Sequence, residues 1–445
     1  MKLSRRTFIT SGAVALGLGA AARLGYVAGG SGLPSGLSSA LPMESDPPVA
    51  AAAAMAPSAA PVPASAAPTA AAQNQPKSLV VVQLAGGNDG LATVLPYQDP
   101  LLASNRPSLA FGADQVVALN NTVALHPNLK GLKPLYDQGK LVVIQGVGYP
   151  NPNRSHFEAM DIWATASPDK PMTTGWLGRY LDAAHLAASN PFNAVNVGGA
   201  TPFALKTQQV AVPSIQSAEA FTLRANPRQP QDTQALMAAF NSIYQRGPGG
   251  VPYYGVVDGV EANTVAAAAS LKDLATKYHS SVNYPQTALG KSLQQVAELM
   301  TGGFGTRVYY ASTGGFDTHA GEKPQHDRLM TELGDAVAAF YQDLQLHGLS
   351  QNTILMTWSE FGRRVKENGS GGTDHGTSAP MFVLGDALKG GVLGDQPSLS
   401  KLDANGDLTF GIDFRAVYNT LLSSWLGMDG QEVLGAHFDT LPLFK

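Results

Sequence analysis

Four short stretches, far apart along the chain, carry residue types that can hold a cation or move a proton. Asp89 lies in Ala85-Gly86-Gly87-Asn88-Asp89-Gly90, and Arg154, Ser155 and His156 follow Asn151-Pro152-Asn153. Asp317 and His319 flank Thr318 after Gly314-Gly315-Phe316, and Glu360 opens a basic, Gly-rich loop that ends in Asp374 and His375. The chain has no cysteine, so any metal it binds is held by oxygen and nitrogen donors. Acidic side chains brought to one place repel unless cations neutralise them, and one or two divalent ions are the simplest resolution. Such an ion lowers the pKa of a bound hydroxyl or water and stabilises charge on a transferring group. Ser155 at a helix N-terminus is placed to be that hydroxyl, and Arg154 suits a phosphoryl or sulfuryl oxygen. Taken singly, each stretch also permits a plainer reading. Asp89 fits a turn, Ser155 fits an N-cap with His156 as a satisfied polar residue, and Asp317 with His319 fits a solvated loop.

The elements that must position these residues are legible as apolar runs. Residues 79–84, 141–145, 307–311 and 353–358 read as buried strands of a parallel sheet, and each precedes one of the four stretches. The carboxyl ends of such strands are where open α/β sheets place their ligands. Met381 to Leu384 adds another strand. Helical spacing recurs at Glu158–Trp163, at Leu289, Leu293, Val296 and Met300 before Gly302, and at Leu329, Leu333, Val337, Phe340 and Leu344. A further helix starts at an Asp413 cap, buries Val417, Leu421, Leu422 and Trp425, and stops at Gly427. Strands alternating with covering helices imply an α/β fold, a three-layer α/β/α sandwich with a mostly parallel central sheet. The Gly-rich loop at Gly86 lacks the G-x-G-x-x-G spacing of a dinucleotide site, and Ser155 is not in a G-x-S-x-G elbow. Asp403-Ala404-Asn405-Gly406-Asp407 resembles the start of a calcium loop but lacks the closing glutamate, so a β-turn is expected there.

Ser4-Arg5-Arg6-Thr7-Phe8-Ile9 is a twin-arginine pattern followed by a weakly apolar segment, which marks residues 1–28 as an export signal read by the twin-arginine machinery. Residues 29–77, rich in Ala, Pro, Ser and Gly, bury too little surface to fold and are expected to be a disordered linker. Residues 78–445 form the folded domain, with a mainly helical insertion at about 190–305 that includes patterns at 233–245 and 263–279. The net charge is −4, and removing Lys2, Arg5, Arg6 and Arg23 takes it to −8, so no nucleic-acid partner is expected. The expected mature chain has no transmembrane helix and is periplasmic or secreted.

The stretches LAGGNDGL (84–91), NRSHFEAMDIW (153–163), GGFDTHAGEKPQHDRL (314–329), SEFGRR (359–364), GTDHGT (372–377) and DFRAVYNTLLSSWLG (413–427) carry a resemblance. The chain resembles the twin-arginine-exported bacterial proteins of the domain of unknown function 1501 family, a distant branch of the alkaline phosphatase and sulfatase superfamily. The resemblance implies an alkaline-phosphatase-like fold and metal-ligand or nucleophile roles for Asp89, Ser155, Asp317 with His319, Glu360 and His375. Where the superfamily has an Asp-His pair this chain has Glu360-Phe361, which costs one metal a histidine, with His326 or Asp374 as substitutes. The expectation is an exported metal-dependent hydrolase of phosphate or sulfate esters, acting on a small molecule or a polymer. Its metal would be zinc, calcium, magnesium or manganese, bound by Asp89, Asp317, His319, Glu360, Asp374 and His375, with Ser155 and Arg154 catalytic. The alternative is a non-catalytic exported binding protein on the same scaffold.

Overall fold

Alternation of side chains along the central strands sorts the apolar residues into two cores, one on each face of a sheet. In β1 (Ser78–Leu84), Val80, Val82 and Leu84 enter one core while Leu79 and Val81 enter the other. The computed structural model describes residues 75–186, 190, 192–209, 212–216 and 278–445. The twin-arginine stretch, most of the Ala/Pro-rich segment and the helical patterns at 233–245 and 263–277 lie outside the described residues.

After β1 come α1 (Gly90–Thr93), β2 (Val94–Leu95), α2 (Pro100–Asn105), β3 (Val117–Ala118), β4 (Ala124–Leu125), α3 (Lys133–Asp137) and β5 (Leu141–Gly148). Next are α4 (His156–Thr165), α5 (Trp176–Ala183), β6 (Ala194–Val197), β7 (Ser214–Ile215), α6 (Ala288–Thr301), β8 (Val308–Thr313) and α7 (Glu322–Leu346). The chain closes with β9 (Thr353–Trp358), β10 (Ala379–Leu384), β11 (Gly391–Leu393), β12 (Ile412–Asp413), α8 (Phe414–Thr420) and α9 (Gly430–Leu434). The strands β11-β5-β10-β9-β1-β8-β6-β7 lie in that order in a nine-stranded sheet, with β12 also paired to β5. Only β10 runs antiparallel to its neighbours, β5 and β9, among the described strands of this sheet. The ends of β1, β5, β8 and β9 therefore share one rim, and β10 begins at that rim. Two strands, β6 and β7, come from within the segment expected to be a helical insertion and extend the sheet beyond β8.

Helices cover both faces, giving the expected three layers. On one face α7 buries Leu329, Leu333, Val337, Phe340 and Leu344 together with Leu289, Leu293 and Val296 of α6. On the other, Trp163 of α4 stacks on Phe414 of α8 at 4.3 Å between ring centroids, and Trp176 of α5 stacks on Tyr418 at 4.1 Å. Asp413 caps α8 by accepting the Arg415 N–H, and α8 continues as a π-helical turn, Leu421–Leu426, that ends at Gly427 in the left-handed region, φ 74°. Asp403 Oδ1 accepts the N–H groups of Asn405 and Asp407, so 403–407 is the turn its sequence suggested. No helix among the described residues is long and apolar enough to cross a membrane.

Candidate functional site

Among the described residues, the group of histidines and carboxylates able to hold a metal ion is His156, Asp317 and His375, whose ligand atoms lie within 4.8 Å of one another. Each comes from a different rim loop. His156 is the first residue of α4, after β5; Asp317 follows β8; His375 precedes β10. The hydrogen bonds of the two histidines fix which nitrogen carries a proton. His375 Nδ1–H donates to the Arg154 carbonyl at 2.8 Å, which leaves a lone pair on Nε2, 3.3 Å from Asp317 Oδ1. His156 Nδ1–H donates to Glu360 Oε1 at 2.8 Å, and its buried Nε2 has no hydrogen-bond partner although Asp317 Oδ1 is 3.5 Å away. Two ring nitrogens with free electron pairs and one carboxylate oxygen thus face a common point. His319 adds a third nitrogen: its Nδ1 meets Asp374 Oδ1 at 3.2 Å, and its Nε2 is 2.9 Å from His375 Nε2 and 3.1 Å from Asp317 Oδ1. Electron pairs this close attract only through a shared cation. A histidine that gives its other N–H to a carboxylate or a backbone carbonyl is the usual arrangement of a metal ligand, so the residues fit a metal ion.

The titration behaviour agrees. Burial alone would raise the Asp317 carboxyl, but the Arg363 hydrogen bond and charge hold it down at about 2. Burial lowers the His375 pKa, which keeps its ring neutral.

The loops are tied together by Arg363, whose side chain is fully buried. It donates to the carbonyls of Gly86, Gly87, Phe316 and Thr373 and, at 2.8 Å, to Asp317 Oδ1. Gly86 must be glycine, since its φ is 122° and a Cβ would stand 2.5 Å from the Asp317 nitrogen. Glu360 belongs to the same junction. Its carboxylate, with no exposed surface, accepts the Gly86 N–H at 2.8 Å and the His156 Nδ1–H at one oxygen, while its other oxygen lies 3.2 Å from Ser359 Oγ. Expected as a ligand, Glu360 lies behind His156 and orients it. Phe361 packs against both histidine rings, 4.8 Å from His156 and 4.7 Å from His375, as an apolar wall.

Asp89 lies outside the histidine group. It caps α1 through Oδ1 and pairs through Oδ2 with the buried Arg106 guanidinium at 2.6 Å. Burial would raise its carboxyl, but Arg106 outweighs this and holds it well below the usual range. Glu322, its acidic neighbour, is pushed up to about 9 by burial and by the Asp89 charge. Glu322 accepts the Thr373 hydroxyl at 2.6 Å and so braces the loop that carries His375. His326, the possible substitute ligand, is buried beside Asp89, and burial lowers it to about 4. Asp374 reaches the centre only through His319. Ser155 is the exposed N-cap of α4 with no side-chain cap bond, so its hydroxyl is not committed to the helix. The Arg154 side chain pairs with Asp407 at 2.8 Å.

Of the acids expected at the rim, Asp89 and Asp317 also have arginine partners, Arg106 and Arg363, so metal ions are not their only counter-charge. His156, absent from the expected ligands, was hidden because it directly follows a good N-cap. Its only sequence signal is position, next to Ser155 at the end of a strand's exit loop.

Comparison with known proteins gives three results. No curated protein matches the chain. Similar solved structures include a sulfatase from Pseudoalteromonas sp., at 12% identity over 83% of this chain and 71% of that one, with a TM-score of 0.36. A protein of the alkaline phosphatase superfamily from Vibrio parahaemolyticus is 10% identical over 81% and 69%, TM-score 0.37. The lipoteichoic acid synthase LtaP from Listeria monocytogenes is 9% identical over 82% and 76%, TM-score 0.35. Residues 142–437 match the family model described as a protein of unknown function, DUF1501, and the chain belongs to that family.

Proposed function

We propose that this protein is a metal-dependent hydrolase of phosphate or sulfate esters. The observation that carries the proposal is the meeting, within 4.8 Å, of His156 Nε2 and His375 Nε2, each with its electron pair unclaimed by a fixed hydrogen, and Asp317 Oδ1, which accepts from Arg363 and has a second pair to offer. With His319 as the fourth donor, the set is three imidazoles and one carboxylate. That donor set suits zinc and its neighbours better than calcium or magnesium, which take oxygen ligands. A bound ion of this kind supplies charge stabilisation on the ester group and a more acidic hydroxyl beside it.

The chain's own residues do the rest. Ser155 presents a free hydroxyl beside His156, where the first N–H groups of α4 and the helix dipole favour an anionic oxygen. Arg154 follows the Asn151-Pro152-Asn153 turn, and its carbonyl sets the His375 tautomer. Arg363 keeps Asp317 ionised and the loops in register. The twin-arginine pattern at Ser4–Ile9 supports export, with the ester substrate met in the periplasm or outside the cell.

A second reading, a non-catalytic binding protein, is favoured by one observation: the Arg154 guanidinium is already held by Asp407, where a catalytic arginine would face the ester. The two readings separate in one experiment. Purified mature protein is analysed for bound metal and assayed against 4-nitrophenyl phosphate, bis(4-nitrophenyl) phosphate and 4-nitrophenyl sulfate, with Ser155→Ala and His375→Ala alongside. The hydrolase reading expects about one zinc-class ion per chain and turnover that both variants lose. Metal without turnover leaves the binding protein, and absence of both metal and turnover ends the hydrolase reading.

A further inference from the structure

Beside the histidine centre lies a cavity of about 490 Å³ whose lining includes none of His156, Asp317 and His375. Its wall includes Arg154, whose carbonyl accepts from His375 Nδ1–H at 2.8 Å. The two spaces are therefore one residue apart. The volume falls in the range of small-molecule sites, about 300–1,000 Å³, and accommodates one or two sugar rings.

The chemistry of the lining narrows the occupant. Of the charges there, Asp407 pairs with Arg154 at 2.8 Å and stands 3.6 Å from Arg364, while Asp403 spends Oδ1 on the backbone of its own turn and has no ion pair among the described residues. Among the described residues, no unpaired cation lines the cavity to select an anionic ligand, and the free Asp403 carboxylate oxygen can accept hydroxyls. The lining also offers amides and hydroxyls, on Asn151, Asn405, Thr377 and Thr409. Two buried polar atoms of lining residues, Asp407 Oδ1 and Ser378 Oγ, have no hydrogen-bond partner. One apolar face completes the set. Phe410 is 38% exposed, one of four large hydrophobic side chains exposed among the described residues, and its Cβ seats over Gly148 at the end of β5. An exposed ring among neutral donors and acceptors matches a pyranose, whose C–H face packs on the aromatic while its hydroxyls meet the amides.

We propose that this cavity binds a neutral carbohydrate unit, the alcohol portion of the ester whose charged group lies at the histidines. The assignment deepens the hydrolase reading and rests on it for that connection, but the binding itself is measurable without turnover.

The test is saturation-transfer NMR on the mature protein with neutral tetrasaccharides of glucose, galactose, mannose and N-acetylglucosamine, before and after removal of metal with EDTA. We expect at least one to bind, with the affinity retained after EDTA, because none of the His156, Asp317 and His375 ligand atoms lines the cavity. Phe410→Ala is expected to weaken binding about tenfold, the loss of one aromatic contact. Asn405→Ala removes a side chain while keeping the backbone N–H bond of its turn, and is expected to weaken it comparably. The proposal is overturned if no tetrasaccharide binds, if both variants bind as the parent does, or if EDTA abolishes binding. The two proposals fail separately. Turnover of 4-nitrophenyl esters without glycan binding removes the cavity assignment alone, and glycan binding without any ester turnover removes the hydrolase reading alone.

Discussion

Replacing Glu360 by glutamine separates two roles that carboxylates play around a metal. The parent side chain accepts two hydrogen bonds at one oxygen, from the Gly86 N–H and the His156 Nδ1–H, and its other oxygen lies 3.2 Å from Ser359 Oγ. Glutamine keeps one oxygen for the two bonds. Its amide then faces Ser359 Oγ, which already accepts the Asn88 N–H and gives its own hydrogen to the Leu84 carbonyl. That oxygen has a second electron pair to receive the amide. The geometry is therefore conserved and only the charge is lost. A hydrogen bond to a charged group contributes about 1.5–3 kcal/mol and a neutral one about 0.5–1.5 kcal/mol, so His156 loses roughly 1–1.5 kcal/mol of support. We expect zinc affinity to fall about tenfold, at the lower end of what such outer partners contribute. The assay is competition with a chromophoric chelator at fixed pH, with circular dichroism to confirm the fold. Were Glu360 itself a ligand, the loss would be far larger. An affinity within about twofold of the parent, in a folded variant, would refute the reasoning.

Other expectations follow from the same junction. Arg363→Met strands four carbonyls that now accept from a buried guanidinium, at about 1 kcal/mol each, so Tm should drop by about 5 °C in a thermal melt of a domain this large; a drop under about 2 °C contradicts the role given to Arg363. Stability of the metal-free protein should peak near pH 6.5. Burial lowers His126 and His326 from 6.5 to about 4, so the stability tied to their neutral forms is complete above 6.5 and lost as pH falls through 4. Burial and the Asp89 charge raise Glu322 from 4.5 to about 9, so the folded chain keeps a proton the unfolded chain releases, and stability declines as pH climbs through that window. Glu322→Gln should flatten this alkaline decline in urea titrations at pH 7 and 8.5; equal parent stability at both values speaks against a protonated Glu322. Saturating zinc, at about a hundred times its Kd, should stabilise the parent by about 2.7 kcal/mol and leave His156→Ala unmoved.

Much of the scaffold is legible in the residues themselves. Leu79–Leu84 and Thr353–Trp358 are continuous apolar runs, and the structure makes both of them inner strands. The spacing of Leu329, Leu333, Val337, Phe340 and Leu344 gives α7 and its buried face. The two strands beyond β8 are short, four and two residues, and sit among polar loops, so no periodicity marks them. Strand direction was also silent: Ala379–Leu384 is apolar whichever way it runs. At the site, residue types and loop positions were readable, but partners were not. Arg106 lies 17 residues from Asp89, and Arg363 lies 46 residues from Asp317. A counter-ion at such separations leaves no local pattern, so acids that the fold balances internally read as vacant ligands.

The choice of an arginine to join the rim loops has a further consequence. A guanidinium stays charged at any physiological pH and does not dissociate, so the crevice keeps its dimensions whatever its metal load. Metal uptake should then involve little folding, with a small heat-capacity change, and chelation should leave the secondary structure in place.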